Sequence, residues 1–201
     1  MNINNVVKVW DLPLRIFHWL LVIAFSVAFI TEDDFLSLHI WAGYLVAGLL
    51  IFRLIWGFSG GKNARFTNFL CRPSKAIAYF KDALALKSKR YIGHNPAGAI
   101  MILLLLISLM MTTITGFAVY GAEENTGPLA MISMENEHLW EEAHEFFANA
   151  TLGLVFIHIM GVIFESFLHK ENLSKAMLTG YKRKPDQNDN QQTNDNKQTG
   201  E

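Results

Sequence analysis

The chain has 201 residues, 51% of them apolar, and a formal net charge of −1; it is long enough for one domain and carries no basic excess that would suit a nucleic-acid partner. Its charges are nevertheless sorted. Every Lys and Arg lies between Lys8 and Arg15, between Arg53 and Arg90, or between Lys170 and Lys197, so residues 16–52 and 91–169 hold no base. A soluble domain has no reason to keep such stretches, whereas a membrane protein does. The single Cys71 excludes an internal disulfide, a thiolate-held iron–sulfur cluster and an all-Cys zinc site.

The N-terminus shows no short apolar stretch followed by a small-residue cleavage site, so no removable signal peptide is expected. The first apolar segment, residues 14–30, is just long enough, at about 1.5 Å per residue, to cross a hydrocarbon core of roughly 30 Å. Glu32, Asp33 and Asp34 follow, and then a second segment over 36–58. The next connection is basic, with Lys62, Arg65, Arg72, Lys75, Lys81, Lys87, Lys89 and Arg90. Inside it, Ser74 is expected to cap a short amphipathic helix on the inner membrane surface, with Ile77, Phe80 and Leu84 on one side. Gly93-His94-Asn95-Pro96 reads as a loop closing into a helix, with Asn95 as cap and Pro96 in the first turn. The third segment, 97–122, is the most apolar, and Ile100 to Met111 is broken only by Ser108. An acidic connection with Glu123, Glu124, Glu135 and Glu137 leads to the fourth segment, 143–168. After Tyr181 almost nothing is apolar, and residues 182–201 are expected to form a disordered polar tail.

Lipid leaves no free partner for backbone groups, and no alternating ten-residue strands occur, so the spans are helices. The predicted fold is an all-α, four-helix membrane bundle over residues 1–181. The positive-inside rule places the basic middle loop and both termini in the cytoplasm.

Seven histidines are present, and four of them fall inside spans, where an ionisable group marks a functional site by default. His144 and His158 are fourteen residues apart, a rise of roughly 21 Å and about 40° short of four turns. They therefore leave one helix on nearly the same face at two depths. Span one runs outward and span two inward, so His18 shares the inner depth with His158 and His39 the outer depth with His144. Two such pairs in a four-helix bundle are what two six-coordinate haems require, each iron taking one imidazole from either side. Full axial occupancy suits electron transfer rather than oxygen chemistry. A lone intramembrane histidine could equally be a packing residue, but two depth-matched pairs are harder to read that way. A single zinc or copper ion cannot gather ligands separated by roughly 21 Å.

Gly43, Gly48, Gly116, Gly153 and Gly161 offer room for a flat ring or for helix contact, and the sequence does not separate the two. Arg15 and Arg53 are candidates for haem propionates or for anchors at the span ends. His94 and Asn95 are candidates to join that polar cluster in the inner haem environment. His138 and His169 do not share the ligand positions.

Several motifs then carry a resemblance. Val9-Trp10-Asp11-Leu12-Pro13 with Arg15 and His18-Trp19, His39-Ile40-Trp41-Ala42-Gly43-Tyr44, Phe52-Arg53-Leu54-Ile55-Trp56-Gly57, Gly93-His94-Asn95-Pro96 and the spaced His144 and His158 arrive in order over residues 6–168. Together they are similar to the bacterial cytochrome b561 and nickel-hydrogenase cytochrome b family. The resemblance implies a dihaem b-type cytochrome of the bacterial inner membrane, exchanging electrons between quinone and a periplasmic redox protein. The expected partner is a hydrogenase-like subunit, a c-type cytochrome or another oxidoreductase, and a homodimer is compatible with the sequence. Glu32, Asp33, Asp34, Glu123, Glu124, Glu135, Glu137, Glu141 and Glu142 give the outer side an acidic field that would steer a basic partner. Two other readings compete. A superoxide:quinone oxidoreductase of the same superfamily would have to draw an anion to that acidic surface. A haem-free membrane anchor would leave the paired histidines unexplained.

Overall fold

The structure, a computed structural model, describes residues 6–32, 34–133 and 136–184. In chain order the elements are β1 (Val6–Lys8), α1 (Leu12–Ile30), α2 (Leu36–Ser59), α3 (Phe66–Phe69), α4 (Pro73–Leu84), α5 (Pro96–Glu124), α6 (Ala130–Ser133), α7 (Glu137–Leu168), α8 (Leu173–Thr179) and β2 (Tyr181–Arg183). Four of them, α1, α2, α5 and α7, are long and apolar enough to cross a membrane. They fall on the four predicted segments, and the largest difference is that α7 starts at Glu137 rather than near 143. Large apolar side chains point outward along them, among them Ile23, Trp41, Ile55, Phe156 and Phe167, as a lipid-facing surface requires. The chain is thus mostly helical, with four long apolar helices consistent with a four-span membrane bundle.

Contacts divide the chain into two units: a histidine unit of Ile16–Ile55 and Met101–His158, and a terminal unit of Met1–Arg15, Trp56–Ile100 and Ile159–Glu201. In the histidine unit, Ala24, Val46, Leu50 and Leu109 form a buried core, packed about by Leu21, Phe25, Leu49, Leu106 and Met110. Ser108, Thr112 and Thr151 join α5 to α7 through their hydroxyls.

The terminal unit is built on polar contacts. Asp11 caps α1 by accepting from Leu14 N (2.9 Å) and also receives Trp56 Nε1 (3.2 Å) and Gly61 N (3.2 Å), which ties three segments to one carboxylate. Asn95 Oδ1 accepts from Gly98 N at 2.6 Å and Pro96 opens α5, as the motif predicts. Asn172 caps α8 by accepting from Lys175 N, and Gly180 ends the helix at φ +88°. A side chain at Gly180 would be strained there and would also meet Trp10 O at 2.8 Å.

Three expectations are corrected. Ser74 does not cap α4: the cap is Arg72, Pro73 takes the first turn, and Ser74 lies inside the helix. A proline with no N–H to satisfy serves that position without a capping hydroxyl. The grouping expected on α4 does hold, with Ile77, Phe80 and Leu84 exposed together and Ala76, Tyr79 and Ala83 buried. The fold is also not purely helical, because β1 and β2 pair antiparallel with Val7 opposite Lys182. The polar stretch after Tyr181 therefore starts as a strand. Buried Lys182 reaches Glu171 at 3.7 Å and Tyr91 O at 3.4 Å, and composition cannot register such a distant partner. Residues 185–201 of the expected tail, with Asp33 and Glu135, lie outside the described residues.

Candidate functional site: two histidine pairs

All four span histidines belong to the histidine unit. His39 and His144 face one another, with ring centroids 6.0 Å apart and ring planes at 89°. His39 Nδ1 lies 2.9 Å from Ala28 O, and His144 Nδ1 lies 3.0 Å from Thr112 O and 3.3 Å from the Thr115 hydroxyl. A carbonyl can only accept, so each Nδ1 donates and each neutral ring keeps its lone pair on Nε2. That is the tautomer a metal takes, with the carbonyl behind each ring fixing its orientation.

The surroundings leave space between α1, α2, α5 and α7. A cavity there is lined by both rings and by Phe25, Gly43, Tyr44 and Gly116 among others, mostly apolar with a few polar groups, as cofactor pockets are. A Cβ on Gly116 would come within 2.9 Å of the His144 ring, so that glycine makes room for the imidazole. At Gly43, Gly48, Gly153 and Gly161 no atom among the described residues lies within 4 Å of where a Cβ would stand. Among the described residues none of those four serves a close helix contact, and Gly43 borders the cavity.

The second pair is held differently. His18 and His158 are both half-buried. His18 Nδ1 is buried and has no hydrogen-bond partner among the described residues, and its ring meets Trp19 edge-on at 5.1 Å. Arg53 is 2% exposed in the same unit.

Arg15, His94, Asn95 and His169 occupy the terminal unit, and His138 the histidine unit. Arg15 donates Nη2 to Leu178 O at the end of α8. His94 is stacked between Trp10 and Phe69, with ring centroids at 4.5 and 4.7 Å. Asn95 is the α5 cap. His138 and His169 each face a carboxylate one turn away, Glu142 and Glu165.

Residues 9–180 match the family described as prokaryotic cytochrome b561. The chain belongs to that family. It is 26% identical over 221 residues, 91% of each chain, to a Rhizobium leguminosarum bv. viciae protein named as a probable Ni/Fe-hydrogenase B-type cytochrome subunit. A Cupriavidus necator protein with the same name is 23% identical over 215 residues, covering 87% of this chain and 86% of its own. An Escherichia coli K12 protein, a probable Ni/Fe-hydrogenase 1 B-type cytochrome subunit, is 26% identical over 221 residues, 89% of this chain and 92% of its own. No solved structure matches.

Membership makes this cytochrome b561 a haem b protein of electron transport with transmembrane helices. The residues present fit that group. Two imidazoles on one metal, with metal–nitrogen bonds of about 2.0 Å and ring radii of roughly 1.1 Å, stand about 6.2 Å apart, close to the 6.0 Å between His39 and His144. Sequence reasoning missed the carbonyls of Ala28 and Thr112, the Thr115 hydroxyl and the Ser108–Thr112–Thr151 contacts. The carbonyls leave no mark in a sequence. The threonines do, as polar residues inside an apolar span, and Thr151 stands midway between His144 and His158.

Proposed function

We propose that this cytochrome b561 binds two haems b, at His39–His144 and at His18–His158, and passes electrons between quinone and a periplasmic Ni/Fe-hydrogenase subunit. The observation that carries the reading is the His39–His144 pair. Two opposed rings with both Nδ1 atoms held by backbone carbonyls leave two Nε2 atoms for one iron. When bound, the haem iron supplies one-electron chemistry by cycling between its ferrous and ferric states. The chain's part would be to hold one haem with His39 and His144 and the other with His18 and His158, the two α7 histidines standing roughly 21 Å apart along the helix. Arg53, buried in the same unit, is the proposed propionate partner there, and Arg15 and His94 with Asn95 are proposed near the quinone.

The basic blocks support an orientation with both termini in the cytoplasm, which puts His39–His144 on the periplasmic side. That side exposes Glu32, Asp34, Glu123, Glu124, Glu137, Glu141 and Glu142, and the carboxylates of Glu123, Glu137 and Glu141 lie within 4.8 Å of one another. A basic patch on the partner would meet this field. The partner reading follows from the relatives' names as hydrogenase cytochrome subunits.

Pyridine haemochrome analysis of the purified chain, with a dithionite-reduced spectrum, is expected to give two protohaems per chain and low-spin bands. One haem per chain would mean that one pair is wrong. A folded, haem-free preparation from haem-replete cells would remove the proposal.

A further inference from the structure

Among the described residues, the largest side chain that is completely buried is neither apolar nor a ligand. Thr151 is 0% exposed, and its hydroxyl stands 2.7 Å from Ser108 Oγ and 3.1 Å from Thr112 Oγ1. Thr112 Oγ1 also lies 3.0 Å from Ser108 O. One set of protons satisfies every contact: Ser108 donates to Thr151, Thr151 to Thr112, and Thr112 to the Ser108 carbonyl. A buried hydroxyl is costly unless paired in this way.

Its position gives the clasp a task. Thr151 is seven residues from His144 and seven from His158, about 10.5 Å from each and roughly 20° short of two turns, so it lies on the face of α7 that carries both histidines. Across from it, the same Thr112 whose hydroxyl enters the clasp offers its carbonyl to His144 Nδ1 at 3.0 Å. One turn on, Gly116 clears space for that ring, with room so tight that a Cβ would reach within 2.9 Å of it. A small slide or rotation of α5 against α7 would withdraw the carbonyl and press on the imidazole.

We propose that Thr151 is a positioning residue: by clasping the Thr112 turn it fixes the hydrogen bond to His144 and so sets the potential of the haem held by His39 and His144. This rests on the ligand assignment proposed above. A firm Nδ1–H···O=C bond makes the imidazole a better electron donor and favours ferric iron, so loosening it raises the potential.

The experiment uses the full-length, haem-loaded protein and compares wild type with Thr151→Val, Thr151→Ser and Ser108→Ala, by potentiometric titration of the visible bands and by EPR of the oxidised protein. Thr151→Val is expected to keep two haems and to raise one midpoint. The rise corresponds to roughly a tenfold change in the ratio of reduced to oxidised haem, about 59 mV for one electron. The other midpoint should stay in place, and one of two low-spin EPR signals should move. Thr151→Ser, which retains the hydroxyl, is expected to match wild type, and Ser108→Ala, which removes one member of the clasp, to fall between them. Should Thr151→Val not fold, Ser108→Ala carries the test. Two unchanged midpoints and signals in either variant would overturn the inference, as would an equal shift of both haems. A failure of the ligand assignment reads differently: His144→Ala in an otherwise wild-type chain would then keep both haems, and the inference would fall with it.

Discussion

Both units of this cytochrome b561 bury polar side chains, but they complete them in different ways. In the terminal unit the partners close on each other. Glu171 takes Arg90 at 2.9 Å, Lys182 at 3.7 Å and the Arg183 amide at 3.1 Å, and Asp11 gathers Trp56, Gly61 and Leu14. In the histidine unit, His39 and His144 are each held by a carbonyl on Nδ1, with no hydrogen bond to Nε2 among the described residues, and both rings line a cavity. A fully paired polar group is spent on the fold. A half-paired one is held still for something else. The histidine unit should therefore lose its cofactor when broken and keep its fold, and the terminal unit should do the reverse.

The largest effect that tests this contrast is loss of a whole haem. His144→Ala is expected to lower the haem content from two per chain to one, with the two short strands of the terminal unit unaltered. Pyridine haemochrome gives the first quantity, and amide exchange over β1 and β2 the second. Two retained haems would break the assignment. Collapse of strand protection along with haem loss would break the contrast, because the histidine would then be holding up a unit it does not belong to.

Next in size is the reverse case. Burial alone would raise the Glu171 carboxyl, but the Arg90 hydrogen bond and the Lys182 charge outweigh it and hold the group below its ordinary 4.5. A carboxyl lowered on folding contributes stability above its unfolded value and loses it as pH falls through the folded one. Lys182 works the other way, since burial lowers its ammonium below the ordinary 10.5 while Glu171 partly restores it. Removing the anion strands two buried cations, and breaking a buried pair of this kind costs roughly 3 kcal/mol. Glu171→Gln is expected to lose about that much near neutral pH, with both haems retained, and to converge on wild type as pH drops below the carboxyl's range. Melting curves across pH in detergent measure it. A deficit that does not shrink in acid would show that the carboxylate charge is not its cause.

The sequence carried the two units unequally. The four spans were legible because lipid imposes long apolar helices and sorted charge, and α1, α2, α5 and α7 lie on the predicted segments. His39 opposite His144 was legible from helix arithmetic, since depth follows from rise and direction alone. Hidden from that arithmetic were the carbonyls of Ala28 and Thr112, which any residue would supply, and the Thr151 clasp, whose partners Ser108 and Thr112 lie on another helix. The terminal unit was read least well. Its order depends on long-range polar contacts such as Arg90 with Glu171 and Lys8 paired with Tyr181, and local composition marks those same residues as loop or tail.

The smallest effect expected concerns His94, which tests whether the terminal unit is wholly structural. Its ring is stacked between Trp10 and Phe69, so an aromatic of any kind could serve if packing were its purpose, whereas a role beside quinone needs its nitrogens. His94→Phe keeps a ring in the stack, and His94→Ala removes it; neither touches the Asn95 cap of α5. With the quinone role, both variants should retain two haems and slow quinone-linked turnover about tenfold, a loss of roughly 1.4 kcal/mol in the rate-limiting step. With packing alone, Phe should restore what Ala loses. A haem lost in either variant would assign His94 to haem binding and leave the quinone role without support. Comparing the two substitutions, rather than either with wild type, separates chemistry from support at the one place in the terminal unit where a histidine is enclosed by rings rather than by charges.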